Sequence, residues 1–353
     1  MTAQKRLPRV TWWERERLVA VGRGPHNLSD FSVNATPENS LRKRALGGIV
    51  LRIAGTILVL GLLFHFLPVR QVGAALRLVP LHSWALVVVG YLASHAVASM
   101  KWRLMVNRAG SGLSVAQAAH CYFAGLFSVL LLPSIVGGDI VRAGLAMRMG
   151  RSKAAILFGS FLDRILDFLA LTLLTVAGAV LVPGSLSAES RHLFFVLGAA
   201  VLGLGIVALL VIVLLPARRF SFRVRRKLVR LREAQRAMAE RPQSVLAALV
   251  LALLVQGSFI ALTAVLADAT GLHLAFQAWL FAWPMAKISA LVPLTQGGIG
   301  VREAALVGLL LPFGAPAART VAAGFAWEGV IIFGGLIGGL GAYLIGKLKL
   351  DVG

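Results

Sequence analysis

The sequence predicts an all-α polytopic membrane protein with six full spans and two re-entrant hairpins. The hairpins are oppositely oriented, so the fold is an inverted repeat of about eight apparent transmembrane segments. Three observations carry that expectation. The chain is 58% hydrophobic and only 14% charged, with mean hydropathy +0.83, and its apolar runs reach the roughly 20 residues needed to cross about 30 Å of hydrocarbon. Its Lys and Arg residues, which give a formal net charge of +22, fall between those runs, where they set orientation. One phrase also occurs twice: "PSIVGGDIVRA" at 133–143 and "PLTQGGIGVREA" at 293–304 share Pro, Gly-Gly and Val-Arg at the same spacing.

Residues 1–44 carry Lys5, Arg6, Arg9, Arg15, Arg17 and Arg23 among Pro, Asn and Ser, and end in "RKR" at 42–44. With no leading apolar core, this stretch reads as a disordered cytoplasmic tail that anchors topology, not as a signal peptide. The apolar segments that follow are 45–67, 82–106, 114–132, 153–182, 191–215, 244–268, 273–292, 300–312 and 317–346. The positive-inside rule decides which of them cross. From "RKR" inside, the first span leads to an outer connection at 68–81, and the second returns near Lys101, Arg103 and Arg108. A full crossing at 114–132 would then leave Arg142, Arg148, Arg151 and Lys153 outside. Residues 114–150 are therefore expected to enter from the cytoplasm, turn at 133–138 and return.

Span 153–182 leads out to "PGSLSAES", and 191–215 leads back to a strongly basic cytoplasmic loop at 216–243. In that loop Leu228, Leu231 and Met238 fall at helical spacing among arginines, so an amphipathic helix lying on the cytoplasmic leaflet is expected. Span 244–268 leads out again, and 317–346 ends inside at "KLKLD". The stretch 273–312 thus starts and finishes outside, as a second hairpin turning at 293–300 and entered from the opposite face. The chain divides into the tail 1–44, a first repeat 45–182, a second repeat 183–346 and a C-terminus 347–353. Both termini are expected in the cytoplasm, with the chain in a bacterial-type inner membrane.

Irregular backbone at membrane depth survives only where protein buries it or it lines a wet cavity, and transporters place such breaks near the bilayer midplane. The ionisable residues point to the same places. Asp139 and Arg142 follow the first Gly-Gly three residues apart and share a helix face. Asp163 lies ten residues past Lys153, about 15 Å deep, with Arg164 beside it and Asp167 one turn further on. In the second half Arg302 and Glu303 follow the second Gly-Gly, Lys287 lies in the descending arm, and Glu328 falls near the middle of the last span. A charge at the bilayer centre costs about 2.5 to 3.5 kcal/mol on insertion scales, so these groups should face one another or a polar path. Two readings of them stay open, a ligand site and structural pairs that brace hairpins against spans.

Other chemistry finds little support. The single Cys121 allows neither an internal disulfide nor a cysteine metal cluster, and His65, His95 and His120 share no ligand spacing, so no metal and no cofactor is expected. The tryptophans at 84, 102, 279 and 283 are expected at helix ends and interfaces. The chain has no His-Glu-x-x-His, and no Ser or Cys sits beside a plausible His partner, which argues against an enzyme. Basic residues placed between apolar segments argue against nucleic acid.

Three ordered pieces, "LLPSIVGGDIVRAGL", "FLDRILDF" and "LVPLTQGGIGVREAAL", resemble the lysylphosphatidylglycerol synthetase/flippase-type transmembrane family, over about 45–346. The resemblance implicates Pro133, Gly138, Asp139, Arg142, Asp163, Arg164, Pro293, Gly297, Gly298, Gly300 and Glu303, and implies handling of anionic phospholipids or lipid-linked sugars. Two departures stand out. The best-known members append a soluble synthetase domain, whereas this chain runs only seven residues past Gly346, so that chemistry is not expected. Where the family often has an aromatic-Arg pair, this chain has Trp327 and Glu328, which reverses the charge. With Gly137, Asp167, Arg302 and Glu328 added from the residue reading, these positions form the expected substrate-binding set. Arg142, Arg164 and Arg302 would meet a phosphate, carboxylates would hold them, and the glycines would bring backbone N–H groups close. The expected function is a non-enzymatic lipid translocase, with membrane lipids and a lipid-biosynthetic enzyme as partners. The alternatives are a glycosyltransferase-associated or lipid-modifying membrane enzyme and a small-solute transporter.

Overall fold

The computed structural model describes residues 54–65, 69–132, 135–181, 203, 222–290, 295 and 298–350, and the regular structure among them is helical. The expected tail 1–44 and, but for residue 203, span 191–215 lie outside the described residues. The helices are α1 (Ala54–His65), α2 (Val69–Arg77), α3 (Leu81–Arg108), α4 (Val115–Leu131), α5 (Ile135–Met149) and α6 (Lys153–Leu181). They continue as α7 (Phe222–Ala239), α8 (Pro242–Ala269), α9 (Phe276–Ser289), α10 (Val301–Leu310) and α11 (Ala317–Leu350). Among the described residues α3, α6, α8 and α11 are long and apolar enough to cross a membrane.

The long helices pack as antiparallel pairs. Ser94 of α3 hydrogen-bonds Ser258 of α8 at 2.8 Å, while Gly90, one turn earlier, lies under the side chain of Leu262, one turn later. Leu130 of α4 packs on Gly335 of α11, and at the other end of α4 His120 Nδ1 meets the Ala342 carbonyl at 2.8 Å. Glycine is required where backbones touch: a Cβ on Gly178 of α6 would sit 2.6 Å from the Phe281 nitrogen of α9.

Two short helix pairs sit inside this frame. Helix α4 starts at a capping box in which Ser114 and Gln117 satisfy each other's backbone N–H groups. It folds back against α5 so closely that a Cβ on Gly138 would lie 2.7 Å from the Gly125 carbonyl oxygen. The two ends of this pair meet, because Arg151 N–H donates to the Ser111 carbonyl at 2.9 Å beside the C-terminus of α3. Helices α9 and α10 form the second pair. Gly298 and Gly300 turn the chain at φ +82° and +85°, a left-handed backbone that favours glycine. Its ends also meet: Arg319 Nη1 donates to the Gly271 carbonyl at 2.6 Å, beside the C-terminus of α8. Since α3 and α8 run antiparallel, the bases of the two hairpins lie at opposite ends of that pair.

One connection proves helical, and one expectation needs correcting. The connection at 68–81 contains α2, which meets α1 at a 93° bend. Its Val72, Ala75 and Leu76 pack on Ala318, Val321 and Ala322 of α11, while Arg70 and Arg77 stay exposed. The helix expected on the leaflet, α7, instead turns its Leu231, Ala234 and Met238 against the bundle, among Met105, Phe158 and Leu249. A helical apolar stripe requires an apolar partner, and protein here supplies it in place of lipid. The side chain of Leu228 lies outside the described residues.

Candidate functional site

A cavity of about 580 Å³ lies where both hairpins meet the long helices. Its wall is aromatic in part: Phe259 and Trp327 have ring centroids 6.2 Å apart, and Trp327 and Trp283 meet edge to face at 5.1 Å. Tyr91 packs on both Phe259 and Trp327, and His95 hydrogen-bonds the Tyr122 hydroxyl at 3.2 Å. Seven charged side chains line the cavity, each from a helix, and the buried Lys101, Asp163 and Glu303 pair with them.

In the first half, Lys101 of α3 is only 1% exposed and sets its Nζ 2.7 Å from both Asp163 and Asp167 of α6. Those two carboxylates share a face because they are one helical turn apart. Arg142 of α5 lies 3.1 Å from Asp139 and 3.6 Å from Asp163, with its guanidinium 4.9 Å from the Trp102 ring and 5.2 Å from the Tyr122 ring. Arg164 pairs with Asp139 and stands 3.5 Å from Asp167. In the second half, Arg302 of α10 reaches Glu303 at 2.7 Å and Glu328 of α11 at 2.6 Å. Glu303 also accepts the Gly300 N–H at 2.6 Å, so a single carboxylate fixes both the turn and the guanidinium.

The halves match in one respect. The arginine after each Gly-Gly pairs with a carboxylate on the long helix that follows, Arg142 with Asp163 and Arg302 with Glu328. A polar link joins them: Lys287 of α9 donates to Gln256 Oε1 at 2.8 Å, and Gln256 Nε2 lies 3.4 Å from Asp167 Oδ1. Five cations (Lys101, Arg142, Arg164, Lys287, Arg302) thus face five carboxylates (Asp139, Asp163, Asp167, Glu303, Glu328). That balance offsets the desolvation of charges at membrane depth, which unpaired groups would bear in full.

The expected residues therefore gather from both halves: Asp139, Arg142, Asp163, Arg164 and Asp167 with Arg302, Glu303 and Glu328. Gly138 lines the cavity, whereas Gly137 is buried against Leu132 in the turn and Gly298 and Gly300 shape the second turn. Pro133, Pro293 and Gly297 lie outside the described residues. Sequence reasoning placed Lys101 only as a topology marker and missed its pairing. Its position seven residues before Arg108, about 10 Å deeper along the helix, was the available signal. Gln256, Tyr91 and Phe259 carried none. The expectation of interfacial tryptophans is corrected at three positions: Trp102, Trp279 and Trp283 are buried, and Trp102 Nε1 donates to Ser160 Oγ at 2.9 Å.

The model of the lysylphosphatidylglycerol synthase TM region matches residues 49–339. The chain belongs to that family. No curated protein and no solved structure matches it. The lysylphosphatidylglycerol synthase transmembrane match spans both hairpins and all ten residues of the charged cluster at the chamber, from Lys101 to Glu328. It makes the chain a multi-pass membrane protein of a lipid-related family.

Proposed function

We propose that this protein is a lipid translocase, which takes a phosphate-bearing head group into the charged chamber and passes it between leaflets while the tails stay in hydrocarbon. One observation carries the reading: the wall of the chamber combines charged side chains with apolar side chains of α11 that are also exposed on the outer surface. Ile332 and Leu336 of α11 line the cavity and are 42% and 49% exposed, and the same helix presents Phe333, Ile337 and Leu340 outward. A volume of about 580 Å³ suits a head group and leaves long acyl or prenyl chains outside. An anionic phospholipid or a lipid-linked sugar fits such a space.

The paired hairpins support the same reading. Their bases sit at opposite ends of the antiparallel α3–α8 pair, and the contacts of α4 with α11 are mirrored by those of α9 with α6. We read this as an inverted repeat, in which rocking of one half against the other opens the chamber to each face in turn. The link through Gln256 would then be remade in each cycle.

Mass spectrometry of lipids that co-purify with the full chain tests the proposal. A phosphate-bearing lipid should be enriched several-fold over the bulk membrane, because a charged chamber selects head groups that bulk solvation does not. Recovery of bulk composition alone would argue against a head-group site.

A further inference from the structure

Lys287 stands apart from the other charges of the chamber. Arg302 is held by Glu303 and Glu328, Arg142 by Asp139 and Asp163, Arg164 by Asp139 and Asp167, and Lys101 by Asp163 and Asp167. Lys287 makes no ion pair among the described residues. Its ammonium has only the neutral Gln256 oxygen at 2.8 Å and the face of Phe259 at 5.1 Å, and it lines the cavity. An ammonium offers three donors, so this geometry leaves donor capacity turned to the cavity. Such a cation in a low-dielectric chamber is costly unless an anion joins it.

The same arithmetic limits the anion. The charged residues on the cavity wall are Arg142, Arg164, Lys287 and Arg302 against Asp139, Asp167 and Glu328. Arg142, Arg164 and Arg302 are each held by carboxylates and Lys287 is not, so one wall cation is left to take a single negative charge. A second negative charge on the ligand would find guanidiniums already engaged and would lie among Asp167, Asp139 and Glu328, which repel it.

We propose that Lys287 is the anion anchor of the chamber and selects a lipid phosphate carrying a single charge, a phosphodiester, over a diphosphate. The proposal rests on the translocase reading and narrows its substrate class. Lys287 also sets the entry point, since it joins Gln256 and so places the head group beside the link between the two halves.

The test is equilibrium binding to the purified full chain in detergent, using fluorescent phosphatidylglycerol, a polyprenyl diphosphate, and the water-soluble diester dimethyl phosphate as competitor. Wild-type protein should bind phosphatidylglycerol at least about ten-fold more tightly than the diphosphate, the worth of a charge-assisted contact. Dimethyl phosphate at equal concentration should not displace the lipid. Lys287→Gln should weaken phosphatidylglycerol binding by about ten-fold without lowering the melting temperature, since Gln still reaches Gln256 and no carboxylate is stranded. Lys287→Arg, which keeps the charge, should stay within about three-fold. Diphosphate binding as tight as diester binding in wild type overturns the assignment whatever the variants do. So does unchanged binding by folded Lys287→Gln, or displacement by dimethyl phosphate. Absence of any lipid binding in wild type overturns the translocase reading itself.

Discussion

Replacing Asp163 with Asn should cost about 3 kcal/mol of stability and abolish transport, because it removes one partner from a buried charge cluster. Lys101, 1% exposed, would keep only Asp167, and Arg142 would keep only Asp139. Loss of either carboxylate partner leaves a cation underpaid in low dielectric, and the Asn amide adds a donor where an acceptor stood. Melting temperature and the yield of monodisperse protein read the first effect. A paired variant separates bracing from work: Lys101→Met with Asp163→Leu removes both charges in similar volume and should recover much of the stability. Transport by that folded double variant should stay at background. Normal transport would mean that the first-half cluster only braces α3, α5 and α6.

Glu303→Gln should reduce transport at least ten-fold, a loss of roughly 1.4 kcal/mol or more of useful interaction. Glu303 is fully buried and serves three groups through its two oxygens: Arg302 Nε, Arg302 Nη2 and the Gly300 N–H. Gln has one acceptor oxygen, so either the turn at Gly300 or the guanidinium loses its support. Arg302 would still hold Glu328 at 2.6 Å, which should keep the protein folded with a reduced melting temperature. Loss of transport in proportion to lost folded protein would assign Glu303 to bracing alone.

Much of the site was legible in the sequence because the bilayer makes charge and broken backbone rare. Arg142 and Arg302 were marked by the Gly-Gly that precedes each, and Asp163 and Asp167 by a one-turn spacing inside an apolar run. Lys101 was not, because a lysine near a helix end reads equally as an interfacial anchor, and only the fold brings α6 beside it. Trp283 and Trp102 failed for a related reason: an amphipathic ring suits an interface as well as a polar chamber. The pairing partners of α2 and α7 were hidden because their short apolar stripes do not state whether lipid or protein covers them.

A reconstituted transfer assay shows whether the chamber passes a lipid head group between leaflets. Full-length protein is placed in vesicles with a fluorescent-acyl phosphatidylglycerol in the inner leaflet, and the outer-leaflet fraction is followed with an impermeant quencher. Accessible lipid should rise well above protein-free vesicles with wild-type protein and stay near background with Glu303→Gln protein at equal folded load. Transfer equal to protein-free vesicles, or equal rates for wild type and Glu303→Gln, would contradict passage through the chamber.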